Sequence, residues 1–371
     1  PMPILRGIYS KHYGIPLTDI AIVILIARLF DAVSDPLIGF FSDRQQKMTG
    51  SRKRFILCGA LLTVASGYFL YDPPSGVTVK YFAVWTIIFY LSWTLFDIPH
   101  QSWASELAKN TQDKTSIFSY RVATGYLGLI VFYCLPFLPF LESTEITPEV
   151  LRLCALASII MVFPALYYCM RYVPDRSVSC HSSCVYTPPQ SYKKKLQLLW
   201  RGIANNPPFL LFLAGYITYG LGIGLWLGLI FIYVDSYLGM GEQFASMFLV
   251  AFLIGLAVTP AWNRMAKQFG KREVWLTAML MIIMSCFYTG LLRPGQAGLL
   301  ELIVLKSVNT LGLVCVTIMA PSVLSDIVDY STWKFKENRT GTYFAFKSFL
   351  VKCLAAGRSE ERRVGKECRS R

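Results

Sequence analysis

Apolar positions in this chain come in blocks about 20 residues long, the length of helix that crosses a bilayer's hydrocarbon core. Nine such blocks run at residues 18–41, 55–71, 81–104, 117–141, 150–170, 208–234, 243–262, 273–292 and 297–320. Inside a bilayer the backbone must satisfy its own hydrogen bonds, so each block predicts a spanning helix. The opening "PMPILRGIYSKHYG" reads as the last part of a first span, and "KSFLVKCLAAG", residues 347–357, as a partial last one. The pattern therefore predicts an all-α membrane protein of about eleven helices, the first and last truncated.

Composition agrees: 54% of residues are hydrophobic and 16% charged, with a mean hydropathy of +0.46. A large water-soluble domain is excluded. The net charge of +14 would suit nucleic acid if it were spread over one surface, but it sits in alternate connections. One set holds Arg44 to Arg54, Lys109 and Lys114, Arg171 to Lys195, Lys267 to Arg272, and Lys334 to Arg339. The other set ("YDPPSGVTVK", "ESTEITPE", "DSYLGMGE", "RPGQAG") is nearly free of basic residues. The positive-inside rule places the basic set in the cytoplasm of a multi-pass inner (plasma) membrane protein. The partners expected are thus the lipid bilayer, a small solute and a coupling cation, with no nucleic acid, and the protein is expected to be a monomer.

The chain's final residues, "RSEERRVGKECRSR" at 358–371, break the apolar pattern and resemble the translated reading frame of a common DNA-sequencing adapter. They are set aside from fold reasoning, which lowers the net charge to +11 by removing six basic and three acidic residues. The cysteines are mostly scattered within spans. Cys180, His181 and Cys184 cluster but lack a fourth ligand at suitable spacing. No resident cofactor or disulfide framework is expected, and no grouping of nucleophile, base and oxyanion donors suggests an enzyme.

The chain also repeats itself. Arg44 and Gly50 in "SDRQQKMTGSRKR" answer Arg264 and Gly270 in "WNRMAKQFGKR", 220 residues on. Pro99 answers Pro321, and Lys114-Thr115 answers Arg339-Thr340. This predicts two helical halves, 1–173 and 207–357, joined by a basic loop at 174–206, the plan of a secondary transporter with its site between the halves. The loop "GFFSDRQQKMTGSRKR" resembles that between helices two and three of the major facilitator superfamily. The resemblance implies that Gly39 allows close helix approach, while Asp43, Arg44, Gly50 and Arg52 shape and gate one end of the bundle.

Charges inside the spans are the candidate chemistry, since each costs about 2.5–3.5 kcal/mol at the bilayer centre even on a permissive scale. Asp31 and Asp35, four residues apart, project within ~40° of each other on a helix. With nearby hydroxyls they form a hard-oxygen site for Na⁺, or for a proton. Alternatively Arg28 and Asp31 form a structural ion pair while Asp35 sits at a kink beside Pro36. Asp97 and Arg121 lie in successive spans and suit either a binding site or a plain buried pair. In the last partial span Lys347 is placed to snorkel to the interface, whereas Lys352 lies deeper.

Together, "ARLFDAVSDPLIGFFSDR", "DIPHQSWASEL…SYR" and "DIVDYSTWKFKENRTGTYFAFKSFLVK" resemble the glycoside-pentoside-hexuronide:cation symporter family, a branch of the major facilitator superfamily with two six-helix halves. The resemblance implies a cation site of Asp31, Asp35, Ser34 and Thr94, and a sugar site of Asp97, Arg121 and Lys352. Where sugar carriers often have an aromatic pair after Asp-Ile-Pro, this chain has His100 and Gln101, so Gln101 enters the substrate set. The expected activity is symport of a sugar, glycoside or uronate with Na⁺ or H⁺ by alternating access. A lysolipid carrier on the same fold and a non-transporting membrane sensor are the rivals.

Overall fold

The computed structural model describes residues 2–74, 76–108, 110–135, 147–175, 205–240, 244–294, 298–335, 337–350 and 352. The cluster Cys180–His181–Cys184, most of the 174–206 loop and residues 358–371 lie outside them. Among the described residues all regular structure is helical. Successive helices are α1 (Met2–Tyr13), α2 (Leu17–Thr49), α3 (Lys53–Tyr71), α4 (Val79–Leu107), α5 (Thr111–Cys134), α6 (Pro148–Tyr172) and α7 (Pro207–Ile232), the last closed by a π-helical turn at Tyr233–Tyr237. Then come α8 (Phe244–Phe269), α9 (Lys271–Leu291), α10 (Leu299–Phe335) and α11, residues 340–350.

Seven of these helices are long and apolar enough to cross a membrane. Of the nine expected spans, α2 and α5 fall short, because the ionisable residues they carry dilute their hydropathy. On α2 the lipid-facing side is nonetheless clear. Leu29, Val33 and Leu37 are exposed while Asp31 and Asp35 are fully buried, an arrangement in which the apolar face looks outward to hydrocarbon and the polar face inward. Two helices outrun their expected ends: α2 continues from 41 to Thr49, and α10 from 320 to Phe335. Their polar extensions sustain helix in water once past the hydrocarbon, and Ser322, Leu324, Ser325 and Val328 keep a buried face on the α10 extension.

The repeated loop glycines share a backbone role. Gly50 (φ +70°) caps α2, its N–H donating to Gln46 O at 2.9 Å, and Gly270 (φ +89°) separates α8 from α9. Positive φ strains a residue with a Cβ, which accounts for glycine at both places.

Apolar packing differs between the two ends of the bundle. At the end with the basic loops, one buried cluster mixes Ile98 and Phe118 with Phe209, Leu324, Tyr343 and Phe344, joining the first 173 residues to those after 207. At the opposite end the clusters stay separate. Ile20, Leu70, Phe82 and Val150 belong to one, and Ile230, Val234, Met247 and Leu302 to another. Among the described residues, buried apolar packing therefore joins the two halves at the basic end, whereas the clusters at the other end each stay within one half.

Candidate functional site

Two charged clusters lie side by side along α4. The first joins α2, α4 and the start of the last span. Lys352 Nζ donates to Asp35 Oδ1 and to Thr94 Oγ1, both at 2.7 Å, and lies 3.3 Å from Asp31 Oδ2. Both aspartates are fully buried. Asp31 Oδ1 and Asp35 Oδ2 have no hydrogen-bond donor, and Asp31 Oδ2 has only its ion pair with Lys352; such buried carboxylate oxygens could hold a small cation. Ser34 turns its hydroxyl back to donate to Asp31 O at 3.3 Å. Within ion-pair distance, two carboxylates face one ammonium.

The second cluster lies one turn further along α4. Arg121 Nη2 donates to Asp97 Oδ1, and its Nη1 lies 2.9 Å from His100 Nδ1. Gln101 Nε2 donates to Asp97 Oδ2 at 2.6 Å, and Lys347 Nζ donates to Gln101 Oε1 at 3.3 Å. Phe96 stacks on His100 with ring centroids 5.2 Å apart. The site has charged-group chemistry, with no exposed aromatic platform among these contacts.

Three expectations change here. Arg28 lies over the Tyr90 ring, 4.7 Å from its centroid, and Lys352 takes the place beside the aspartates that Arg28 was expected to fill. Lys352 itself joins Asp31, Asp35 and Thr94 and not Asp97, because two buried carboxylates attract an ammonium more strongly than one already held by arginine. Lys347 turns inward to Gln101 and does not snorkel. A cavity of about 950 Å³ between α7 and α9, walled by Trp226, Ile282, Cys286 and Gly290, includes none of these charged residues.

At the basic end, a set of polar bonds ties the halves together. Arg52, fully buried, donates to Ser42 Oγ (2.6 Å), Asp43 Oδ1 (2.7 Å) and both oxygens of Glu106 (2.8 and 3.1 Å). Burial opposes its charge, but Asp43 and Glu106 outweigh that and raise the guanidinium's pKa. Asp43 also crosses to the other half, accepting Gly341 N at 2.7 Å and Thr342 N at 2.8 Å at the start of α11, where a carboxylate complements the helix dipole. Asn338 Nδ2 reaches Glu106 Oε1 at 3.0 Å. Asp326, 220 residues after Glu106, accepts from Lys271 (2.7 Å), Lys114 (3.2 Å) and Thr111 (3.3 Å), the last two from the other half. Ser105 and Ser325, also 220 apart, hydrogen-bond to each other, as equivalent positions do on a two-fold axis.

Comparison with known proteins now assigns the chain. A family model described as MFS/sugar transport protein matches residues 5–357. The chain belongs to that family. Within the MFS/sugar transport family it is similar to "Uncharacterized symporter YjmB" of Bacillus subtilis (strain 168), 23% identical over 355 residues, covering 93% of this chain and 74% of that one. It is also similar to "Inner membrane symporter YicJ" of Escherichia coli (strain K12), 24% identical, with 93% and 73% covered. Among solved structures, the proton:xylose symporter XylE bound to 6-bromo-6-deoxy-D-glucose shares the fold, with a TM-score of 0.55 at 14% identity over 96% of this chain and 88% of that one. The chain is a multi-pass, all-α membrane protein of the major facilitator fold.

The expected residues fall into two groups. Asp31, Ser34, Asp35 and Thr94 come together with Lys352; Asp97, Gln101 and Arg121 come together with Lys347. Gly39 serves close approach, since a Cβ there would lie 2.5 Å from Ala345 Cβ and 2.7 Å from Gly341 O. Asp43 and Arg52 enter the basic-end bonds, but Arg44 does not: it is exposed, as is its echo Arg264, and makes no ion pair among the described residues. Glu106, Asp326 and Lys271 were not anticipated, because carboxylates and lysines near loops look like ordinary solvated charges. Lys306 was also missed. It is buried in α10 with Nζ 4.1 Å from the Phe248 centroid, and its signal was a lone lysine inside "LELIVLKSVNTL".

Proposed function

We propose that the protein is a cation-coupled symporter of a sugar, glycoside or uronate, of the glycoside-pentoside-hexuronide:cation kind, with its basic loops on the cytoplasmic side of the inner membrane. The observation that carries this reading is the Lys352 ammonium held between buried Asp31, Asp35 and Thr94, with carboxylate oxygens still without donors. Two carboxylates and one ammonium leave one formal negative charge in the membrane interior. One Na⁺ or H⁺ bound between Asp31 and Asp35 would neutralise it. Na⁺ would bind to Asp31 and Asp35 with the Thr94 and Ser34 oxygens, displacing Lys352 from part of its present contacts.

The solute binds one turn away, at Asp97, Gln101 and Arg121. Both ligands act on the same equilibrium. Each must favour the state able to switch, since a ligand that binds two states equally shifts neither. Sealed basic-end packing and separate clusters at the other end correspond to an outward-open carrier. Residues 1–173 and 207–357 are the two halves that rock about the Ser105–Ser325 axis.

A lysolipid carrier on the same fold is the rival, favoured by the apolar walls of the 950 Å³ cavity between α7 and α9. Uptake of radiolabelled glycosides, uronates and lysolipids into cells expressing the protein, with and without Na⁺, separates the two. Accumulation of a sugar or uronate and not of a lysolipid is expected; lysolipid uptake alone would overturn the reading.

A further inference from the structure

Charge around Asp97 does not balance. Arg121 already pairs with its carboxylate and shares its other terminal nitrogen with His100. Lys347 remains. Its Nζ has Gln101 Oε1 at 3.3 Å, with the Tyr216 and Phe344 ring centroids each 6.0 Å away. Among the described residues no carboxylate lies within salt-bridge distance of it. The other acids buried in the membrane interior near this helix, Asp31 and Asp35, are engaged by Lys352. Lys347 is therefore the cation of this cluster with no carboxylate in ion-pair contact among the described residues.

We propose that Lys347, with Arg121 beside it, receives an anionic group on the solute, so that the carrier selects sugars bearing a carboxylate or sulfonate over neutral ones. The inference rests on the sugar-symporter reading and narrows it. An uncompensated cation in a membrane interior is costly, and a solute anion is the partner that removes that cost only when the solute is bound. The planar guanidinium of Arg121, already spread between Asp97 and His100, offers directional N–H donors, and the Lys347 ammonium supplies a point charge from the opposite half. Because one group lies on α5 and the other on α11, an anion bridging them draws the two halves together around the solute. Neutral hydroxyls hydrogen-bond to either group but leave the charge in place.

The test is equilibrium binding to the purified protein in lipid nanodiscs, using D-glucose, D-glucuronate and 6-deoxy-6-sulfo-D-glucose, for the wild type, Lys347→Gln and Lys347→Arg. At least one acidic sugar is expected to bind about tenfold or more tighter than glucose, the equivalent of one charge-assisted hydrogen bond. Comparison of the two acidic sugars tells carboxylate from sulfonate. Lys347→Gln should bring the acidic-to-neutral affinity ratio toward one, and Lys347→Arg should keep it. A wild-type ratio near one, or a ratio unchanged in Lys347→Gln, overturns the inference while glucose binding leaves the carrier reading intact. If none of the three sugars binds, both fall. Should the Gln variant not fold, the wild-type ratio and the Arg variant still decide.

Discussion

At the scale of single residues, Asp97 and Arg121 can be told apart from a mere packing pair. Removing one member of a buried ion pair strands the other charge, at about 3–5 kcal/mol, whereas replacing both with apolar groups is often nearly neutral. Asp97→Ala and Arg121→Ala should each lower the melting temperature in detergent, and Asp97→Leu with Arg121→Met should recover most of it. Solute binding should stay lost in the double variant; recovery of binding along with stability would make the pair structural only. These residues were legible because an ionisable group in an apolar run is expensive and must have a reason. Their partners were not. Lys352 lies 317 residues from Asp35 in sequence, and no local pattern says which acid a distant lysine will choose. Lys347 was misread for a related reason, since its depth depends on where α11 starts and on the Gln101 side chain opposite it.

At the scale of elements, α2 and α11 meet at Gly39 and Gly341. A Cβ on Gly341 would lie 2.7 Å from Asp43 Oδ1 and 2.8 Å from Gly39 O, so neither glycine tolerates a side chain while the basic end is closed. Gly39→Val is expected to favour the state open at that end, read as a severalfold faster thiol labelling of a cysteine placed at Ser325. Labelling no faster than in the Gly39 parent would show that α2 and α11 do not control closure. The spans were legible from block length and charge spacing. Helix ends were less so, since the polar tails of α2 and α10 carry no hydrophobic signal, and it is Gly50 alone that marks where α2 stops. Arg44 shows the limit of motif reading: of the two arginines expected at this end, the repeated one is exposed, while Arg52 is sealed between Asp43 and Glu106.

At the scale of the whole molecule, the 220-residue echo predicted two similar halves, and the Ser105–Ser325 contact puts equivalent residues face to face. What the repeat did not reveal is which end is closed, because two halves of one sequence can lean either way. In a background without reactive cysteines, Ser105→Cys with Ser325→Cys should form a disulfide that blocks solute uptake, and reduction should restore it. A cross-linked protein that transports at the parent rate would rule out rocking about this axis. Glu106→Gln and Asp326→Asn, which weaken polar bonds that tie the halves at this end, should both shift the molecule toward the open basic end, seen as longer distances between spin labels placed on the two halves.

The central claim is that one cation at Asp31 and Asp35 drives the solute across. Proteoliposomes test it most directly, with solute uptake measured under an imposed inward gradient of Na⁺ or of H⁺ for the wild type, Asp31→Asn and Asp35→Asn. One of the two gradients is expected to raise the wild-type rate severalfold and neither variant to respond, although both still exchange solute down its own gradient. Gradient-stimulated uptake that persists in both variants would contradict it.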